Sequence, residues 1–143
     1  MIINRDLAML RLAKQESKLS DFKQVHMGCC IAIKNNVLSI GCNGEKSNPM
    51  QCKFNRFRNF DKPEQVIAKQ HSEISALSKL PWYVFENDFN LKRATIYIYR
   101  EHKDTHTYAM AFPCPACMEA IKQISIGRIV YTIENGIAEM KIA

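Results

Sequence analysis

The sequence predicts an α/β fold in which helices pack against a β-sheet. Segments rich in β-branched and aromatic residues, such as Ala94-Thr95-Ile96-Tyr97-Ile98-Tyr99, alternate with segments whose apolar residues recur every three or four positions. The chain has 143 residues, 47% of them apolar, which suffices for one core and is too short for two ordinary domains. A single domain over residues 1–143 is expected.

Taken along the chain, residues 5–19 read as a helix, with Leu7, Leu10 and Ala13 on one side and neither Gly nor Pro inside. Residues 27–33 and 37–40 read as strands joined by a turn at Lys34-Asn35-Asn36, because Asn tolerates positive φ. Gly41, Gly44 and Pro49 mark a loop. The stretch 46–69 sets Lys46, Lys53, Arg56, Arg58, Lys62 and Lys69 against Asp61 and Glu64, and Phe54, Phe57 and Phe60 recur there every third residue. That spacing fits a helix face buried on the core, a basic aromatic arm for nucleic acid, or a mobile loop. Residues 71–80 read as a helix with Ile74, Leu77 and Leu80 in one stripe and Pro81 as its stop. Residues 94–99 form a strand, 101–107 a polar surface loop, and 115–124 another helix with Pro115 in its first turn. Residues 128–133 form a strand, and Asn135-Gly136 reverses the chain into residues 137–142, so the last strand is antiparallel.

A formal net charge of +6 favours anionic partners, nucleotides or a nucleic-acid strand, without choosing between them. No apolar run approaches the roughly 20 residues that cross a bilayer. Residues 1–11 lack the basic-then-apolar layout of a signal peptide. A soluble, cytoplasmic protein without a membrane partner is the expectation. There the six cysteines, Cys29, Cys30, Cys42, Cys52, Cys114 and Cys117, are reduced. Cys29 and Cys30 are adjacent, point to opposite faces of a strand, and read as small core residues.

The chemistry resides in two motifs. His71-Ser72-Glu73 opens one helix, and Pro113-Cys114-Pro115-Ala116-Cys117 opens another just beyond a strand. A Cys-x-x-Cys pair spans one helical turn, so both sulfurs reach a single metal ion. The helix N-terminus favours the thiolates that bind zinc. His71 supplies a third ligand, and zinc with three protein ligands keeps one position open for water, the catalytic pattern. Glu73 stands two residues from the ligand His71, where a carboxylate moves protons without binding the metal. Together these residues match the signature of zinc deaminases. Taken alone, Cys-x-x-Cys also fits a redox pair. A closed structural zinc site would need a fourth ligand from His102, His106, Cys42 or Cys52.

The sequence resembles the cytidine and deoxycytidylate deaminase superfamily over most of its length. Beside the metal motifs, the segment His26-Met27-Gly28-Cys29-Cys30-Ile31-Ala32-Ile33 is similar to the family's first strand. Leu38-Ser39-Ile40-Gly41-Cys42-Asn43-Gly44 is similar to its second strand and substrate loop, and Ile126-Gly127-Arg128-Ile129-Val130-Tyr131 to the strand after its third helix. The resemblance implies a three-layer α/β/α sandwich about a five-stranded mixed sheet and a homo-oligomer. It also implies substrate contacts from Asn43, and from the backbone around Ser72 and Cys114 to the pyrimidine edge. Without it, Asn43 reads as a turn residue beside Gly44. Two features depart from the family pattern. Ser72 stands where the family usually has Ala, and residues 100–112, with His102 and His106, intervene before the Pro-Cys motif, as in a group of phage and microbial deaminase-like proteins.

The resulting expectation is zinc-dependent hydrolytic deamination of a cytosine-type base, first of all in a free nucleotide such as deoxycytidylate, giving the uracil product and ammonia. One alternative is deamination of a base within single-stranded DNA or RNA. Another is a zinc-stabilised module that binds nucleotide or protein and does no chemistry, although a structural zinc site would not require Glu73.

Overall fold

The computed structural model describes residues 1–58 and 69–142. Helix α1 (Asn4–Ser17) leads into strands β1 (Met27–Ile33) and β2 (Asn36–Cys42), followed by α2 (Pro49–Phe54), α3 (Ser72–Ser78), β3 (Thr95–Arg100), α4 (Pro115–Ile124), β4 (Arg128–Ile133) and β5 (Gly136–Lys141). The strands form one five-stranded sheet in the order β2-β1-β3-β4-β5. β1 runs antiparallel to β2 and β3, β3 and β4 are parallel, and β4 and β5 form an antiparallel hairpin. The expected mixed sheet with an antiparallel last strand is therefore what the chain forms. No described helix is long and apolar enough to cross a membrane.

Alternation along the strands sorts side chains onto two cores. Cys29, Ile31, Ile96, Ile98 and Ile129 face one side, beneath Ile74 and Leu77 of α3 and Ala120 and Ile121 of α4. Cys30, Ala32, Tyr97, Tyr99 and Val130 face the other, beneath Met9, Leu10 and Ala13 of α1. Each fully buried Ile contributes roughly 1.5–3 kcal/mol relative to exposure. Cys29 and Cys30 are core residues on opposite faces, and burial raises both thiol pKa values, that of Cys30 to about 12. Two glycines let helices approach the sheet. A Cβ on Gly28 would lie 1.8 Å from the Ala13 carbonyl oxygen of α1, and one on Gly41 would lie 2.5 Å from the Ala76 amide nitrogen of α3.

Local details differ from the sequence reading. The buried stripe of α1 is Asp6, Met9, Leu10, Ala13 and Ser17, with Leu7 at its exposed edge. Asp6 is tolerated inside because Tyr97 and Arg128 bond its carboxylate. The positive φ of the first turn falls on Lys34, at 52°, and Asn36 already belongs to β2. Gly41 lies within β2, and Pro49 opens α2. The second reversal is centred one residue early, on Glu134 and Asn135, with Asn135 at φ 64°. α3 stops at Ser78, so Leu80 lies beyond the helix yet is still core. Phe54 is buried in the core, and Phe57 stacks on it at 6.2 Å with the Arg56 guanidinium over the Phe57 ring. That leaves the core-facing reading for Phe54. Phe60, Asp61, Lys62 and Glu64 lie outside the described residues.

Candidate metal centre and active site

A short antiparallel pairing sets the first ligand in place. Ser47 and Lys69 form a β-bridge, Gln70 N–H donates to the Lys46 carbonyl, and Gly44 N–H donates to the Gln70 carbonyl. His71 follows at once as the N-cap of α3, with extended backbone at φ −84° and ψ 160°. Its N–H donates to Oε1 of the fully buried Gln51 on α2, at 3.0 Å. Gln51 in turn donates to Asn55 at 2.7 Å. Cys114 has the equivalent position on α4, an N-cap with φ −66° and ψ 166°, and Pro115 opens the helix. Neither side chain caps its own helix. They turn toward each other instead.

His71 Nδ1 lies 3.5 Å from Cys114 Sγ and 3.3 Å from Cys117 Sγ. The three donor atoms fall within 4.8 Å of one another, and this is the one such group of His, Cys, Asp or Glu side chains among the described residues. Zinc–sulfur and zinc–nitrogen bonds of about 2.3 and 2.0 Å at tetrahedral angles require N···S edges of about 3.5 Å. The observed spacings fit that ion closely, and one imidazole with two sulfurs is a donor set zinc prefers. Cys42, Cys52, His102 and His106 do not join the group. His102 instead contacts Glu134, and His106 contacts Glu101.

Proton placement reflects the crowding of these ligands. Cys114 is held down to about 4, first by hydrogen bonding from Cys117 and then by His71, against the opposing effect of burial. The same pairing, together with burial, pushes Cys117 up. Burial alone would lower His71, but its bond to Cys114 and the nearby Glu73 charge raise it. Metal binding would release the protons that these groups hold. Glu73, next but one to His71, is 2% exposed and accepts a hydrogen bond from Ser72 Oγ at 2.7 Å.

Beside the ligands lies a cavity of about 490 Å³, lined by His71 together with Phe22, Met27, Asn43, Lys69, Arg100 and others. Arg58 also reaches this wall. Lys69 pairs with Glu45 and sits over the Phe22 ring. Asn43 is on the wall, but its side chain also braces the preceding loop. Oδ1 accepts from Ser20 Oγ at 2.7 Å and from Met27 N–H at 2.9 Å, and Nδ2 donates to the Val25 carbonyl at 2.8 Å. Sequence reasoning missed Gln51, Gln70 and Phe22. Gln70, adjacent to His71, offered the only positional hint; the other two are brought in by tertiary contacts.

A sequence model of the cytidine and deoxycytidylate deaminase zinc-binding region matches residues 3–133. No curated protein matches the chain. Among solved structures, a cytidine deaminase from Burkholderia pseudomallei is similar with a TM-score of 0.61 at 13% identity, over 98% of this chain and 93% of that one. A dCMP deaminase from the cyanophage S-TIM5, in apo form, is similar with a TM-score of 0.56 at 20% identity, over 92% of this chain and 84% of that one. The same phage protein in complex with dCMP and dUMP is similar with a TM-score of 0.56 at 19% identity, over 92% and 82% of the two chains.

Proposed function

This chain belongs to the family of the cytidine and deoxycytidylate deaminase zinc-binding region, and we propose that it hydrolyses the exocyclic amine from the cytosine ring of a free pyrimidine nucleotide. The carrying observation is the cavity of about 490 Å³ with the ligand His71 at its wall and Lys69, Arg58 and Arg100 on the same lining. Its volume lies within the usual range for a small-molecule site. Cations there favour a substrate that carries a phosphate, such as deoxycytidylate, over a neutral nucleoside.

His71, Cys114 and Cys117 would hold zinc through one nitrogen and two sulfurs. When bound, zinc would supply Lewis acidity toward a water molecule, bringing its pKa toward about 7. Glu73 takes a proton from the attacking water and returns it to the departing amine. Water adds at C4 of the ring, the C4–N bond breaks, and the products are the uracil nucleotide and ammonia. Burial of Glu73 keeps bulk water from intercepting that proton. By the family resemblance, Asn43, which lines the cavity, would contact the sugar, and the backbone about Ser72 and Cys114 the pyrimidine edge.

Ammonia release from deoxycytidylate, cytidylate, the matching nucleosides, adenine nucleotides and a cytosine-containing single-stranded oligonucleotide tests the reading, with Glu73→Ala as control. The expected result is a kcat/KM for one cytosine monophosphate at least roughly tenfold above its nucleoside. In Glu73→Ala, activity should fall by a factor on the order of 10² to 10⁴ while zinc is retained. Turnover confined to the oligonucleotide, with a steep salt dependence, would replace the free-nucleotide reading. Full activity in Glu73→Ala would remove the mechanism.

A further inference from the structure

We infer that Ser72 is a positioning residue, whose hydroxyl holds one carboxylate oxygen of Glu73 so that the other is presented to the reacting groups. The inference rests on the deamination reading above. Ser72 Oγ donates to Glu73 Oε1 at 2.7 Å, and both residues are buried. A buried hydroxyl must find an acceptor inside the protein, and Oε1 is the acceptor Ser72 Oγ has among the described residues. A carboxylate removed from water needs donors as well. Among the described residues, Ser72 Oγ is the one oxygen or nitrogen that donates to Glu73. Each group therefore satisfies a need of the other.

The consequence is directional. The terminal torsion of a Glu side chain is broad and roughly two-fold, so an untethered carboxylate samples many orientations. Here one oxygen is bound by Ser72. Oε2 is the oxygen without the Ser72 bond, and it is the one left to exchange a proton with water and amine. Alanine, the residue the family usually carries here, offers no such tether. Ser72 thus acts on the reaction through Glu73 and touches neither metal nor substrate with its hydroxyl.

The test compares wild type, Ser72→Ala and Ser72→Thr as zinc-loaded full-length protein with deoxycytidylate. Ser72→Ala adds no volume and deletes only the oxygen. Its kcat should fall roughly ten- to a hundredfold, the worth of one hydrogen bond to a charged group, with KM within about twofold. Zinc content and melting temperature should match wild type. Ser72→Thr keeps the hydroxyl and should recover most of kcat. Crystal structures of the zinc-free wild type and Ser72→Ala supply a readout independent of turnover: one Glu73 orientation in the first, a rotated or divided carboxylate in the second. An unchanged kcat, a rise in KM alone, or an unmoved carboxylate in Ser72→Ala overturns the inference and leaves the deaminase reading standing. A zinc-loaded wild type inactive on every cytosine compound overturns that reading. In that event the crystallographic pair still decides whether Ser72 holds Glu73.

Discussion

Two buried polar clusters occupy opposite faces of one sheet, and they differ in how completely their atoms are paired. On the α1 face, Asp6 accepts from Tyr97 Oη at 2.8 Å, from Arg128 Nη1 and Nη2 at 2.9 and 3.0 Å, and from Ile3 N–H at 3.0 Å. Arg128 Nε then donates to Glu139 at 2.7 Å. On the other face, His71, Cys114 and Cys117 converge on a common point, and Glu73 has a single oxygen donor among the described residues. The paired Asp6 network fixes structure, since removing a member leaves buried polar groups short of partners. An open one keeps its lone pairs for a ligand. The Asp6 cluster ties α1 to β3 and β4, residues up to 122 apart in sequence; the His71 cluster ties two helix starts to whatever they bind.

The contrast is broken most severely by emptying the open cluster. Cys114→Ala should abolish zinc binding and turnover together and lower the unfolding free energy by several kcal/mol, because metal affinity and folding are coupled. Metal analysis and thermal melts of the purified variant check this, and undiminished zinc would reject the ligand assignment. Breaking the closed cluster should act on stability alone. Asp6→Ala removes two of the Arg128 hydrogen bonds, leaving Glu139 as its carboxylate partner, and should cost about 2 kcal/mol in denaturant unfolding, with zinc content and kcat unchanged. A loss of zinc in Asp6→Ala would mean that the two faces are energetically joined.

The last test sharpens the comparison through pH. Burial by itself would raise the Asp6 pKa, but the Arg128 guanidinium, the Ile3 N–H and the Tyr97 hydroxyl outweigh it and bring the value from 3.8 to about 2. A carboxyl with a depressed folded-state pKa stabilises the fold above its unfolded pKa and loses that contribution as pH falls through the folded value. Between pH 3.8 and about 2, wild type should therefore lose stability attributable to Asp6, roughly 2 kcal/mol in all. Urea titrations of wild type and Asp6→Asn across that interval measure it. Parallel curves would show that Asp6 contributes nothing there.

The two clusters were not equally legible. His71, Glu73, Cys114 and Cys117 belong to short motifs whose internal spacing is set by helix geometry, so the sequence displays them directly. The strands were legible for a similar reason, as runs such as Thr95-Ile96-Tyr97-Ile98-Tyr99 carry their propensity locally. Asp6 was not, because its burial is decided by Tyr97 and Arg128, far along the chain. The same holds for Gln51, which fixes the His71 backbone from α2, and for Arg100, which the sequence presents only as the start of an intervening stretch. Turn residues failed on a finer scale. Asn35 and Asn36 were the natural candidates for positive φ, yet hairpin geometry placed it on Lys34.

That intervening stretch is fastened at its base. Glu101 and Tyr108 form a bridge, Ala109 N–H donates to the Arg100 carbonyl, Thr132 Oγ1 donates to the Ala109 carbonyl, and Ala111 N–H donates to the Thr132 carbonyl. The chain re-enters the body of the protein along β4 before it reaches Pro113, while residues 102–107 stand exposed. The path of the chain into Cys114 is thereby set by bonds to β4 beyond the tip, while the tip itself is held elsewhere, by His102 to Glu134 and Lys103 to the Lys23 carbonyl. An insertion among residues 102–107 is expected to leave zinc content unchanged, which metal analysis of such a variant checks.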